Sequence, residues 1–90
     1  MSICRRHITF YGQVQGVGFR YHAKYAADRT GCTGWVKNED DGTVTMEIQG
    51  ARDAINEVLV SVGRARFVWI ENMISKDIPI VPGEIRFRTR

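Results

Sequence analysis

The sequence predicts an α+β fold in which two helices cover one face of an antiparallel sheet, within a single domain spanning residues 1–90. Three observations support this fold class. Segments that alternate apolar and polar residues and segments with helical spacing follow one another in the order strand, helix, strand, strand, helix, strand. Each strand segment is apolar on one face, which is typical of a sheet covered on one side. A chain of this length has room for one hydrophobic core.

The first strand and the first helix flank a glycine-rich loop. In the segment ITFYGQV, three apolar residues share one face of a strand: Ile8, Phe10 and Val14. After the loop, apolar residues recur at the spacing of one helical stripe: Phe19, Ala23, Ala26 and Ala27. Gly31 is well placed to end this helix in a left-handed conformation.

A β-hairpin comes next, in the segment GWVKNEDDGTVTMEIQ. Asp41-Gly42 is a dipeptide that favours the turn of such a hairpin. The second arm alternates between an inward face and an outward face. The inward residues are Val44, Met46 and Ile48, and the outward residues are Thr43, Thr45, Glu47 and Gln49. The hairpin therefore supplies two strands that are apolar on one side.

The second helix and two further strands complete the chain. Apolar residues at helical spacing predict the second helix, and the pattern stops at Gly63. These residues are Ala51, Ala54, Ile55, Val58, Leu59 and Val62. RFVWIENM, residues 66–73, predicts a fourth strand, and EIRFR, residues 84–88, a short fifth strand with Ile85 and Phe87 on one side. The whole order indicates a ferredoxin-like two-layer α/β sandwich, βαββαβ with a short additional C-terminal strand.

This topology predicts where two distant polar residues meet. The first two strands of such a unit run in the same direction, with the third strand inserted between them in reverse. Their C-terminal ends therefore lie on the same rim of the sheet. The glycine loop follows the first end and Lys37-Asn38 lies at the second, so Arg20 and Asn38 are expected to flank one site. Cys4 and Cys32 are expected at the opposite rim, where two free thiols are favoured and a bridge between them stays open.

The loop GQVQGVGFRYH has the chemistry of an anion site. Gly16 and Gly18 can adopt positive φ, which lets successive main-chain N–H groups converge on one point. The helix that begins near Phe19 adds its free N–H groups. Arg20 stands at a helix N-terminus, where a cation is disfavoured by about 0.3–1 kcal/mol unless an anion binds. The loop matches neither nucleotide motif, and its spacing alone leaves a plain strand-to-helix turn open.

Two segments, YGQVQGVGFR and GWVKNEDDGTVTMEIQG, resemble the two sequence signatures of the acylphosphatase family. The resemblance covers essentially the whole chain. It implies a ferredoxin-like enzyme that hydrolyses the carboxyl-phosphate bond of acyl phosphates without a metal or another cofactor. By analogy with the family, Asn38 positions the attacking water. The same analogy assigns phosphate binding to the loop and its arginine: Gln15, Gly16, Val17, Gly18, Phe19 and Arg20.

The remaining residues argue against other kinds of site. His22 has no visible orienting partner, the serines lack a neighbouring base, and the His and Cys positions lack metal-ligand spacing. An RNA-binding domain would place aromatic residues on the central strands, and the outward face of the third strand has none. The alternatives that stay open are a non-catalytic phosphate-sensing module and a nucleic-acid-binding module.

Composition sets the expected partners and location. The net charge of +3 modestly favours anionic partners, and the basic residues are scattered rather than clustered. The longest apolar run is FVWI, residues 67–70, which is too short for a membrane span. We therefore expect a cytoplasmic monomer that binds neither nucleic acid nor membrane. The resemblance implies a small acyl phosphate as its substrate, with inorganic phosphate or sulfate as product-like ligands. The physiological acyl phosphate is not readable from the sequence.

Overall fold

The computed structural model describes residues 2–90, which form five strands and two helices. The elements are β1 (Ile3–Gln13), α1 (Phe19–Thr30), β2 (Thr33–Asn38), β3 (Val44–Ala51), α2 (Arg52–Gly63), β4 (Trp69–Ile78) and β5 (Phe87–Thr89). The sheet order is β4-β1-β3-β2-β5. Strands β1 and β2 each pair antiparallel with β3 and so run in the same direction. The predicted βαββαβ order with a short C-terminal strand is confirmed.

Strand β5 differs from the prediction in its direction. It pairs parallel with β2, so the five-stranded sheet is mixed rather than wholly antiparallel. The reason lies in the path of the chain. Strand β4 ends beside Arg5, near the start of β1, which is the rim where β2 begins. The chain crosses the sheet at this rim after β4. Strand β5 therefore starts beside the beginning of β2 and runs in the same direction as β2.

The core lies between the helices and one face of the sheet, as the alternation of each strand predicts. All four apolar residues of the α1 stripe are buried. The inward residues of β1 and β3 are likewise buried, among them Ile8, Phe10 and Met46. Gly31 ends α1 in the left-handed region with φ 79°, and its N–H donates to Ala27 O. Neither helix is long and apolar enough to cross a membrane, within the residues described.

The bounds of the last two strands, predicted as residues 66–73 and 84–88, were wrong at both ends. Strand β4 begins at Trp69 rather than at Arg66, because Phe67 lies in a turn with a positive φ of 73°. Ile85 is 80% exposed and precedes β5, whereas Phe87 is buried at 1%. The segment before Phe87 is not a strand and includes a turn at residues 82–83, so alternation does not apply to it.

The outward face of the sheet is more buried than its polar residues indicate. Arg5, only 3% exposed, donates hydrogen bonds to Gln49 Oε1 at 3.1 Å, Glu84 Oε1 at 2.7 Å and Glu47 Oε1 at 3.2 Å. Gln49 also exchanges two hydrogen bonds with the main chain of Val81, at 2.8 and 3.1 Å. These contacts attach the segment 79–86 to the sheet. The outward residues Thr43, Thr45 and Gln49 are buried rather than solvated, and Gln49 is covered by its contacts with Val81.

The charges of this cluster stabilise one another. Burial alone would lower the pKa of Arg5, but the contacts with Glu84 and Glu47 outweigh it and raise that pKa. Burial alone would raise the pKa of Glu47, but hydrogen bonds from His7 and Arg5 outweigh it and lower the pKa of that carboxyl. Glu47 and Arg5 are therefore an ion pair at neutral pH. Arg5 also binds Glu84, which lies on the segment that leads into β5.

Candidate active site

The loop between β1 and α1 has the two positive-φ glycines that the sequence predicts. Gly16 and Gly18 adopt left-handed φ values of 71° and 77°. Gly18 is the N-cap of α1, and within the described residues no side chain caps this helix. The loop is held at both ends by buried residues, Val14 and Phe19. The Phe19 ring packs on Phe10 of β1 with 4.8 Å between centroids, which fixes the start of α1 against the sheet.

A hollow of about 180 Å³ opens where this loop faces the end of β2. Arg20 and Asn38 lie on its two sides, as the shared direction of β1 and β2 predicts. The glycines and the helix start complete its wall. The lining residues are Val14, Gly16, Gly18, Phe19, Arg20, Tyr21 and Asn38. Of the residues assigned to phosphate binding, Gln15 and Val17 are not among those that line it.

Gln15 has a structural contact that sequence reasoning missed. Its side-chain amide donates to Glu39 O at 2.7 Å and to Thr43 O at 2.8 Å. Both acceptors lie at the turn of the β2–β3 hairpin, directly after Asn38. Gln15 therefore ties the phosphate-loop candidate to the strand end that carries Asn38. Both acceptors are main-chain carbonyls, so the residue types in the sequence do not indicate this contact.

The hairpin turn itself is well ordered by local hydrogen bonds. Asp41 Oδ1 accepts from Thr43 N at 3.0 Å and from Thr43 Oγ1 at 2.6 Å, while Glu39 N donates to Thr43 O at 2.9 Å. The two bonds from Thr43 lower the pKa of the Asp41 carboxyl. Asp41 is thus an ionised turn-former, and its carboxylate is engaged away from the hollow.

Arg20 is oriented by the far end of the chain. Its Nη1 donates to Arg90 O at 2.8 Å. Arg90 is held in turn by its N–H, which donates to Val36 O at 2.8 Å, and by its guanidinium, which lies 4.6 Å from the centroid of Trp35. The exposed guanidinium of Arg20 therefore has one fixed contact with the chain end beside β2. Seventy positions separate the two residues, so no local pattern predicts this contact.

The other residues weighed from the sequence lie outside the hollow. His22 packs near Gly18, where an added Cβ would be 3.7 Å from its ring, and it faces a groove between α1 and α2. Among residues 2–90 no three His, Cys, Asp or Glu side chains cluster as metal ligands. Cys4 pairs with Gly50 across β1 and β3, and Cys32 contacts the same glycine, so both free thiols lie at the opposite rim. Burial raises the pKa of the Cys32 thiol.

Comparisons with known proteins are consistent with this geometry. A family model described as Acylphosphatase matches residues 6–87. An acylphosphatase of Geobacillus thermodenitrificans is 41% identical over 85 residues, 93% of this chain and 90% of that protein. One from Clostridium acetobutylicum is 42% identical over 82 residues, with 90% of each chain covered. The crystal structure of acylphosphatase from Bacillus subtilis superposes with a TM-score of 0.88 at 31% identity, covering 99% of each chain.

Proposed function

Because the chain belongs to the acylphosphatase family and catalyses the hydrolysis of acyl phosphates, we propose that this reaction takes place in the hollow between Arg20 and Asn38. One observation carries the proposal. A guanidinium, an amide and a loop with two left-handed glycines line one hollow of about 180 Å³. This combination supplies the charge, the directed N–H groups and the polar group that transfer of a phosphoryl group to water needs.

The phosphoryl group binds to the loop and to Arg20. The N–H groups of residues 15–20 and the N-terminus of α1 form the cradle for its oxygens. Arg20 adds a planar pair of donors that matches two of those oxygens. The bound dianion offsets the unfavourable position of this cation at a helix N-terminus. Tight binding of the phosphoryl oxygens neutralises charge as the bond to the leaving group breaks.

Asn38 positions the attacking water. Its side-chain oxygen accepts a hydrogen bond and its NH₂ donates, so it can hold a water in line with the leaving group, but it cannot take a proton. The water oxygen bonds to phosphorus, the P–O bond to the acyl group breaks, and the acyl group leaves as a carboxylate. The proton of the water passes to a phosphate oxygen. A carboxylate is a stable leaving group, so this route requires neither a general acid nor a metal ion.

Replacing the two residues separately tests the assignment. Arg20→Ala is expected to lower kcat/KM for an aryl acyl phosphate at least ~10²-fold, because it removes a main donor to the phosphoryl oxygens. Asn38→Ala is expected to lower kcat strongly while phosphate still binds, measured as competitive inhibition. Arg29→Ala on the exposed side of α1 and Asn56→Ala on α2 are the matched controls. Normal turnover by either site variant would overturn its assigned role.

The assay is run with a chelator such as EDTA present. Turnover that persists supports the metal-free route, and turnover that a chelator abolishes and an added divalent cation restores contradicts it. The cytoplasmic location and the monomeric state remain predictions from the sequence. Gel filtration at micromolar concentration checks the second, because a monomer elutes near the chain mass of 10.3 kDa.

A further inference from the structure

A second hollow adjoins the first along α1. It has a volume of about 320 Å³ and is lined by Arg20, Tyr21, Lys24 and Thr89. Arg20 and Tyr21 line both hollows. A group attached to a phosphoryl bound in the first hollow can therefore extend past Arg20 into the second without leaving the surface of the protein. The second hollow lies between the first turns of α1 and the edge strand β5.

The charge in this second hollow is positive and only partly compensated. Lys24 Nζ donates to Asp28 Oδ2 at 3.0 Å and to Phe87 O at 3.1 Å, and the lysine side chain is 45% exposed. Arg20 and Lys24 are four residues apart and so lie on one face of the helix, where like charges repel. Asp28 faces Lys24 from the next turn, on the side away from Arg20. Arg20 in turn donates to Arg90 O, so each of the two cations has one main-chain partner at or next to β5.

We propose that the second hollow receives the acyl group of the substrate and that Lys24 selects acyl groups with a second negative charge. This inference rests on the proposed function of the first hollow. One helical turn spans about 5.4 Å along the axis, so a carboxylate two or three carbons from the acyl carbon reaches the Lys24 ammonium. The substrate class is the monoacyl phosphates of short dicarboxylic acids. Asp28 competes with the substrate carboxylate for the same ammonium.

Comparison of two substrates of equal chain length separates the effect of a terminal charge from the effect of acyl-group size. Succinyl phosphate carries the terminal carboxylate, and butyryl phosphate ends in a methyl group at that point. The measured quantity is the ratio of kcat/KM for succinyl phosphate to kcat/KM for butyryl phosphate. A ratio cancels any general loss of activity that a variant causes through the loop or through β5.

Lys24→Gln is expected to lower this ratio about 5-fold, the effect of losing one partly exposed ion pair. Asp28→Asn is expected to raise it about 2-fold, because the lysine is released from its competing partner. Lys76→Gln, an exposed lysine on β4 with the same change in net charge, is the control and should leave the ratio unchanged. The opposite signs of the two test variants distinguish recognition from general damage, because damage lowers activity on both substrates.

The outcomes also separate this inference from the proposed function. If Arg20→Ala abolishes butyryl phosphate hydrolysis while Lys24→Gln and Asp28→Asn leave the ratio unchanged, the acyl-group inference is wrong and the phosphate site stands. If Arg20→Ala leaves butyryl phosphate hydrolysis intact, the phosphate site and the inference built on it both fail. Opposite shifts of the ratio in the two test variants support the selection of a second anion by Lys24.

Discussion

At the scale of single residues, Gln15 shows how one side chain can control a site that it does not line. Its two donor hydrogens are both used on main-chain carbonyls of the β2–β3 turn. The loop cradle and Asn38 are therefore held at a fixed separation by an amide that faces away from the hollow. Reaction rates depend steeply on such separations, because the water must attack in line with the breaking bond.

Replacing Gln15 tests whether this tether matters for catalysis. Gln15→Ala is expected to lower kcat/KM about 10-fold, through misplacement of Asn38, and to lower the free energy of unfolding by about 1–2 kcal/mol. The main-chain N–H of residue 15 survives this change, so phosphate inhibition should remain. Kinetics and urea denaturation measure the two effects. Gln13→Ala, at the exposed end of β1, is the matched control.

Gln15→Glu separates the tether from a role in phosphate binding. A carboxylate cannot donate, and it would face the two carbonyl oxygens of Glu39 and Thr43. We expect this variant to be at least as impaired as Gln15→Ala. Wild-type activity in Gln15→Glu would mean that the two hydrogen bonds do not hold the site.

At the scale of elements, the segment 79–86 is fixed by charges rather than by a strand ladder. Arg5 of β1 attaches it through the ion pair with Glu84, and Gln49 binds its main chain at Val81. Glu47 of β3 pairs with the same Arg5. A buried cation that lost one partner would be left uncompensated, which is costly. The attachment therefore depends on the carboxylates remaining ionised.

Acid is expected to weaken this attachment through Glu47. The pKa of Glu47 is lowered in the folded protein. The folded state therefore favours the ionised form relative to the unfolded chain, where the pKa of a glutamate is about 4.3. The stabilisation is complete above that value and is lost as pH falls through the lower folded pKa. Glu47→Gln should therefore be less stable than wild type at neutral pH, yet lose less stability on acidification. Urea denaturation at about pH 7, 5 and 3 measures this. Glu71→Gln, exposed on β4, is the control.

The elements with a strong local period were predictable, and those defined by distant contacts were not. The helical stripe ending at Ala27 is buried as the sequence predicts. The predicted inward residues of β3 are buried too, but the outward residues Thr45 and Gln49 are also buried, so the alternation along β3 does not appear as a difference in burial. Phe67 was assigned to a strand because its neighbours are apolar, although its own φ of 73° places it in a turn. The burial of Gln49 depends on a segment about thirty residues away. For the site, strand direction was enough to bring Arg20 to Asn38, but main-chain partners such as Arg90 O leave no mark in a sequence.

At the scale of the whole molecule, two remote parts of the chain line the hollow and a third contacts Arg20. The loop after β1 supplies the cradle, the end of β2 supplies Asn38, and the residue after β5 supplies the oxygen that orients Arg20. Strand β5 is only three residues long and lies at the edge of the sheet. It is anchored to the core by Phe87, which is 1% exposed. We therefore expect the proposed site to be complete only when this edge strand is docked.

Phe87→Ala is expected to lower activity without unfolding the rest of the domain. Removal of a buried phenylalanine costs about 3–5 kcal/mol, a large part of the 5–15 kcal/mol that stabilises a typical domain. The cost falls on β5, so the fraction with β5 undocked should rise before the rest of the sheet unfolds. Without denaturant, Phe87→Ala should then retain its far-UV circular dichroism but lose activity per folded molecule, with a raised KM because Arg20 is no longer oriented. Ile55→Ala, buried in α2 far from the hollow, is the matched control: it lowers the unfolding midpoint while activity per folded molecule stays at the wild-type value. Equal activity per folded molecule in the two variants would show that the docking of β5 does not control the orientation of Arg20.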